Sequence, residues 1–259
     1  ILTCDWSSDV CSSDLRFFPV GDAHRLPGDP VDGGEVDAVL HHRPEGIRRL
    51  AVGHDHDAGC LGRPGMGGAA AGEIASAMAV QSIYEHMVAH WLQDRDSSPQ
   101  LFAYRLKEAV ENTNARIHEY AKAHPDLKGM GTTTTAVGVL GDTLYLSQVG
   151  DSRAYLIRAG AASQLTKDQS LTQRLVDAGE LTEEEAERSE RKNIILQALG
   201  PDDNVRVDLT HQVIRRGDAL VMCSDGLSNQ VKKEEIAAVV SRGGSPADAC
   251  SELIDLANE

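Results

Sequence analysis

Two acids in this chain stand where a carboxylate can do more than shape a turn. Asp151 follows the apolar run Thr143 to Val149, within Val149-Gly150-Asp151-Ser152-Arg153. Asp225 follows the apolar run Ala219 to Cys223, within Ser224-Asp225-Gly226-Leu227. Carboxylates at strand ends can converge on one rim of a sheet, and hard divalent cations such as Mg²⁺ and Mn²⁺ prefer such oxygen ligands. Two such ions about 4 Å apart share a water, lower its pKa and clamp a phosphoryl group for in-line attack. A backbone carbonyl at a Gly-rich turn adds a ligand without side-chain bulk, and Gly65, opening Gly65-Met66-Gly67-Gly68, suits that role. Taken singly, either acid reads better as a turn residue than as a ligand, because Asp-Ser and Asp-Gly are ordinary turn pairs. Ser152 and Ser224 lack a nucleophile-elbow pattern and a paired histidine with a strong signature.

The elements that would carry these acids are legible in the hydrophobic pattern. Thr132 to Leu140 is rich in β-branched residues, Gly141-Asp142 interrupts it, and Thr143 to Val149 resumes, which reads as a hairpin. Arg153 to Ile157, Val205 to Val213 and Ala219 to Cys223 read as further strands. Before this block, Val80, Ile83, Tyr84, Met87, Val88 and Trp91 recur at helical spacing. Phe102, Leu106, Ala109, Val110, Thr113, Ile117 and Tyr120 form a second stripe, opened by Ser98-Pro99 and closed by His124-Pro125. A short helix through Asp177 stops at Ala178-Gly179, and Thr182 to Glu185 has a capping-box spacing. Helices over 232–241 and 245–257 close the chain. Strands in hairpin-linked runs between helices imply an α+β fold built on antiparallel sheets.

Composition narrows the function classes. A net charge of −15 over 259 residues argues against nucleic-acid binding and against an anionic membrane surface. No apolar run reaches the roughly 18 residues of a membrane span, and no signal peptide is visible, so a cytoplasmic location is expected. Five scattered cysteines without a Cys-x-x-Cys pair predict neither a disulfide framework nor a structural zinc site. No P-loop or dinucleotide-binding glycine pattern is present.

Residues 1–64 differ in character. CDWSSDVCSSDL repeats a Ser-Ser-Asp unit and resembles translated adapter sequence, so residues 1–15 are excluded from fold reasoning. In 16–64 only Val36 to Leu40 and Ile47 to Val52 suit short strands. His41, His42, His54, Asp55, His56 and Asp57 form a His/Asp-rich stretch without a partner motif of ligand spacing.

In order, GMGGAAAGEIAS, MGTTTTAV, VGDSRAYL, LTKDQSLTQRLVDAGELTEEEAE, NIILQALG and ALVMCSDGLSNQV resemble the PPM-type, metal-dependent (type 2C) serine/threonine protein phosphatases of bacteria. The resemblance covers residues 65–259. It implies a four-layer αββα sandwich of two antiparallel sheets flanked by helices, acting on phosphoserine and phosphothreonine in proteins with Mg²⁺ or Mn²⁺. It assigns Asp225 to the central metal pair, Gly65 as a backbone ligand and Asp151 to a third, weaker metal position. It makes Gln169 to Ser189 the family's variable flap, and implies a monomer acting on phosphoproteins made by a serine/threonine kinase.

Four departures accompany it. Pro64 stands where the family has a metal-bridging Asp, and the upstream Arg…Asn-Glu-Asp motif is missing from 1–64. The closing Gly-x-Asp-Asn motif is absent before Glu259, which implies truncation, and Gln169 replaces a common His. A one-base offset turns codons for an Ala-Asp pair into those for Gly62-Arg63-Pro64, which implies that the residues before Gly65 are out of frame. The chain as written is therefore expected to be impaired, with sheet edges left unpaired. A non-catalytic pseudophosphatase that binds phosphoproteins or a regulatory partner is the alternative.

Overall fold

The computed structural model describes residues 15–19, 47–55, 68–91, 94 and 98–259, with side chains from residue 71 onward. The expected strand Val36 to Leu40, the adapter-like residues 1–14, Pro64, Gly65, and His41, His42, His56 and Asp57 lie outside the described residues.

The strands are β1 (Leu15–Pro19), β2 (Ile47–Asp55), β3 (Thr133–Leu140), β4 (Thr143–Val149), β5 (Arg153–Arg158), β6 (Ala161–Gln164), β7 (Asp208–Val213) and β8 (Ala219–Cys223). The helices are α1 (Gly68–His90), α2 (Pro99–Ala123), α3 (Leu171–Asp177), α4 (Glu183–Glu187), α5 (Asp225–Ser228), α6 (Lys233–Ser241) and α7 (Pro246–Asn258). Two four-stranded sheets form, with orders β1-β8-β5-β6 and β2-β3-β4-β7, and every pairing is antiparallel.

Side-chain alternation sorts the strands into layers. Val137, Leu144 and Leu146 of one sheet meet Ala154, Leu220 and Met222 of the other, and these residues form the inter-sheet core. The opposite face of β3 and β4, with Ala136, Tyr145 and Val149, packs under α1 and α2. Tyr155, Ile157, Val221 and Cys223 face the other way, against Leu227, Ile236, Val239, Cys250 and Leu253 of α5 to α7. The result is the expected αββα sandwich.

The predicted helical stripes are the buried ones. Ile83, Met87 and Trp91 of α1, and Phe102, Leu106, Val110 and Ile117 of α2, are buried. Ser98 caps α2 by accepting from the Leu101 N–H, and Pro99 occupies its first turn. Asn114 was not counted in the stripe, yet it is buried. Its Oδ1 accepts from the Gly200 N–H at 2.8 Å, and its Nδ2 donates to the Asp202 and Asp203 carbonyls. It thereby ties the loop after residue 199 to α2.

Several elements differ from the sequence reading. A strand forms over Leu15–Pro19, where none was expected, and β2 runs past the expected Val52 to Asp55; their pairing with β8 and β3 supplies neighbours that the expectation of unpaired sheet edges did not foresee. The strand expected over Val205 to Val213 begins only at Asp208. β6 was not foreseen, because its exposed Ala-Ala-Ser-Gln lacks an apolar alternation. It forms because Ala159 and Gly160 take positive φ values of 50° and 81°, which fold β6 back onto β5. The residues after β8 form a short helix, α5, rather than a simple turn. β1 and β2 lie at the edges of their sheets, paired with β8 and β3.

The contact between α2 and β3 leaves no spare volume. Phe102 packs edge-on against Trp91 and Tyr145, with centroids 5.0 and 5.3 Å away. Its ring lies directly over Gly138, where an added Cβ would stand 2.3 Å from Cζ. Gly138→Ala is therefore expected to force the ring from its slot and cost about 1–3 kcal/mol, as overpacked cores do. Urea denaturation gives the difference, and an unchanged midpoint would mean that α2 is not seated as described.

Candidate metal centre

The register between β5 and β8 decides how the two candidate acids relate. Arg153 pairs with Cys223, and the strands are antiparallel. Asp151 lies two residues before Arg153, and Asp225 lies two residues after Cys223. Both acids therefore leave the sheet at the same end, from adjacent strands. Asp225 opens α5, and its Oδ2 accepts from the Asn229 amide one turn on, at 3.2 Å.

Asp151 is 8 % exposed. Burial, then the neighbouring charges of Asp225 and Asp168, raise its pKa to about 7. Asp168 is itself held by Arg153, whose Nε and Nη2 reach its carboxylate at 2.7–3.0 Å. Arg153 pairs with Asp168, while the charges of Asp225 and Asp168 both still bear on Asp151. The donors are hard carboxylate oxygens that leave adjacent strands at the same end of one sheet. That set fits Mg²⁺ or Mn²⁺ rather than a thiophilic metal. Asp151 and Asp225 with Asp168 do not make a ready three-ligand cluster; no group of three His, Cys, Asp or Glu in metal-holding geometry occurs among the described residues.

The turn that carries Asp151 is built tightly. Gly150 has φ +105°, a region that disfavours side chains, and an added Cβ would stand 2.4 Å from Thr133 Cγ2. Thr133 Oγ1 and Ser152 Oγ lie 2.7 Å apart, which links the two sheets immediately beside Asp151. The Gly150 N–H donates to Gln169 Oε1 at 2.8 Å, and the Gly150 carbonyl accepts from the Gln169 N–H at 2.9 Å. β2 ends at this same rim, with Asp55 opposite Thr133 in the register.

Sequence reasoning thus places Asp151 and Asp225 where the structure brings them together. Gly65 and Pro64 lie outside the described residues; α1 begins three residues after Gly65, at Gly68. The Arg153–Asp168 pair and the Gln169 clamp were missed. Arg153 and Asp168 are 15 positions apart, and no local spacing announces such a pair. Gln169 was noticed only as a departure from a motif.

Comparison with known proteins agrees with the architecture. The Protein phosphatase 2C family matches residues 54–253. The chain belongs to that family. Serine/threonine protein phosphatase PstP of Mycobacterium tuberculosis is 37% identical over 228 residues, which cover 86% of this chain and 43% of that protein. The chain therefore spans less than half the length of this relative. The structure of the S. agalactiae serine/threonine phosphatase superposes with a TM-score of 0.72 at 33% identity, covering 94% of this chain and 93% of that one. The catalytic domain of PstP, solved in complex with two manganese ions, superposes with a TM-score of 0.63 at 32% identity, covering 94% of this chain and 91% of that one. The family match begins upstream of Gly65, where the sequence resemblance began.

Two outcomes test this geometry. Gly150→Ala should destabilise the chain by about 2–4 kcal/mol, because strain at positive φ and overlap with Thr133 act together; chemical denaturation measures it. The second concerns pH. Between 3.8 and about 7 the folded chain keeps a proton on Asp151 that the unfolded chain has released. Folding stability without metal should therefore fall as pH rises across that window, and level off above it. Asp151→Asn should remove most of that slope. Urea titrations in EDTA at pH 5 and pH 8 check both, and identical slopes for the two proteins would contradict the burial of a coupled carboxylate.

Proposed function

We propose that residues 65–259 form a metal-dependent phosphatase domain that hydrolyses phosphoserine and phosphothreonine in proteins. The observation that carries this reading is the convergence of Asp151 and Asp225 across the β5–β8 pair, in a family with a solved relative that holds two manganese ions. Bound at this rim, Mg²⁺ or Mn²⁺ supplies a water of lowered pKa and positive charge for the phosphoryl oxygens.

The chain's own residues have the remaining tasks. Asp225 holds the central pair, with its carboxylate set by α5 and by Asn229. Asp151 holds a third, weaker position, and its high pKa makes metal and proton compete there near neutrality. Gly65 contributes a backbone carbonyl. The segment from Gln169 to Ser189, which carries α3 and α4, corresponds to the family's variable flap and would influence the choice of phosphoprotein. No described helix is long and apolar enough to cross a membrane.

Pro64 favours a second reading, a pseudophosphatase that binds phosphoproteins without turnover. Proline offers no side-chain ligand, so Asp225 faces the central metal pair without the acid expected at position 64. An altered reading frame just before Gly65 would account for that loss.

Hydrolysis of p-nitrophenyl phosphate and of a phosphothreonine peptide in Mn²⁺ separates the two readings. The chain as written should be weak, and Pro64→Asp should raise its Mn²⁺-dependent rate by at least about tenfold, the usual scale for a metal ligand. Asp225→Asn in that background should abolish the gain, and EDTA should do the same. If Pro64→Asp gives no activity while the phosphopeptide still binds, the pseudophosphatase reading stands instead.

A further inference from the structure

We propose that Gln169 is a positioning residue that holds the Asp151 turn in its metal-binding conformation and joins that turn to the base of the α3–α4 segment. This inference rests on reading Asp151 and Asp225 as metal carboxylates. Gln169 is buried, and all of its polar atoms are engaged. Its main-chain N–H donates to the Gly150 carbonyl at 2.9 Å, and its Oε1 accepts from the Gly150 N–H at 2.8 Å. One residue therefore grips both polar groups of the glycine that immediately precedes Asp151. Gln148 Nε2 adds a second donor to the Gly150 carbonyl at 3.1 Å.

The far side of Gln169 is anchored on β7, the neighbour of β4 in the same sheet. Its Nε2 donates to Asp208 Oδ2 at 2.8 Å, at the start of β7, and to the Arg206 carbonyl at 3.1 Å. Its carbonyl accepts from the Leu196 N–H at 2.7 Å. The next residue, Ser170, caps α3 by accepting from the Gln173 N–H at 3.2 Å. Asp151, β7, the 193–199 segment and the α3–α4 segment thus meet at one amide side chain. Gly150 immediately precedes Asp151, so holding its N–H and its carbonyl also holds the backbone that carries the Asp151 carboxylate. A buried, unpaired Gly150 N–H would be costly, which favours the clamp over its loss.

An amide suits this position chemically. It offers one acceptor toward Gly150 and one donor toward the Asp208 carboxylate, and it brings no charge next to Asp151. A neutral imidazole also has one acceptor and one donor nitrogen. Gln169→His should therefore preserve the clamp, whereas Gln169→Leu removes both bonds.

Calorimetric titration of Mn²⁺ into the Pro64→Asp protein, the parent for every variant below, read beside thermal unfolding in EDTA, tests the assignment. Gln169→Leu should weaken Mn²⁺ binding about tenfold, the effect expected of a residue that orients a ligand. Asp151→Asn should do the same, the double substitution should lose no more than either alone, and Gln169→His should stay within about threefold of the parent. Asp208→Ala, at the half-exposed far anchor, should weaken binding in the same direction and carries the test if Gln169→Leu does not fold. A Gln169→Leu protein that melts earlier but keeps the parent's Mn²⁺ isotherm would reduce Gln169 to a structural residue and overturn the proposal. If Asp151→Asn itself leaves the isotherm unchanged, the fault lies with the metal reading of Asp151 instead.

Discussion

The antiparallel pairing of β5 with β8 is the constraint on which the candidate centre depends. It sets Arg153 opposite Cys223 and so sends two carboxylates off the same end of one sheet. Burial of Asp151 raises its pKa first, and the charge of Asp225, which the pairing keeps from moving away, raises it further. A divalent cation at the proposed site would relieve the same conflict by replacing the proton.

The sandwich supports this rim by making both sheets contribute to it. The alternation of β3, β4, β5 and β8 fills the space between the sheets with Val137, Leu144, Leu146, Ala154, Leu220 and Met222. At the rim the apolar filling gives way to polar contacts, Thr133 with Ser152 and Gln169 with Gly150 and Asp208. The Thr133–Ser152 contact, with Thr135 Oγ1 donating to the Ser152 carbonyl, joins β3 to the turn into β5 and so crosses between the sheets, while Gln169 ties the end of β4 to β7 within one sheet. Sliding of the sheets would therefore have to break buried hydrogen bonds beside Asp151, and the rim resists that more strongly than the methyl-lined interior does.

Much of the fold was legible because its signals are local. The stripes of α1 and α2, the Gly141-Asp142 hairpin, the Thr182 capping box and the alternation of β8 each lie within a dozen or so positions of sequence. β6 was not legible, because an exposed edge strand of Ala-Ala-Ser-Gln needs no apolar pattern and owes its place to β5. The start of β7 was misjudged because Val205 and Val207 are half-buried or buried through packing against the helices or the loop, not through strand pairing. The identity of the candidate acids was legible from their strand-end contexts. Their convergence was not, since nothing in either motif specifies that β5 and β8 are neighbours. Gln169 was invisible as a positioning group for the same reason, as its partners Gly150 and Asp208 are 19 and 39 positions away.

The departures at Pro64 and Gln169 differ in physical kind. Proline at position 64 removes a charge-bearing ligand that no neighbouring backbone group can imitate, because a carbonyl supplies an oxygen but no negative charge. An amide at 169 conserves what its position requires, one acceptor and one donor at the right separation, and removes only a titratable ring. The first substitution therefore bears on whether cations are held at all. The second bears on how the ligands are oriented, and it leaves the electrostatics of the rim to Asp151, Asp225 and the Arg153–Asp168 pair.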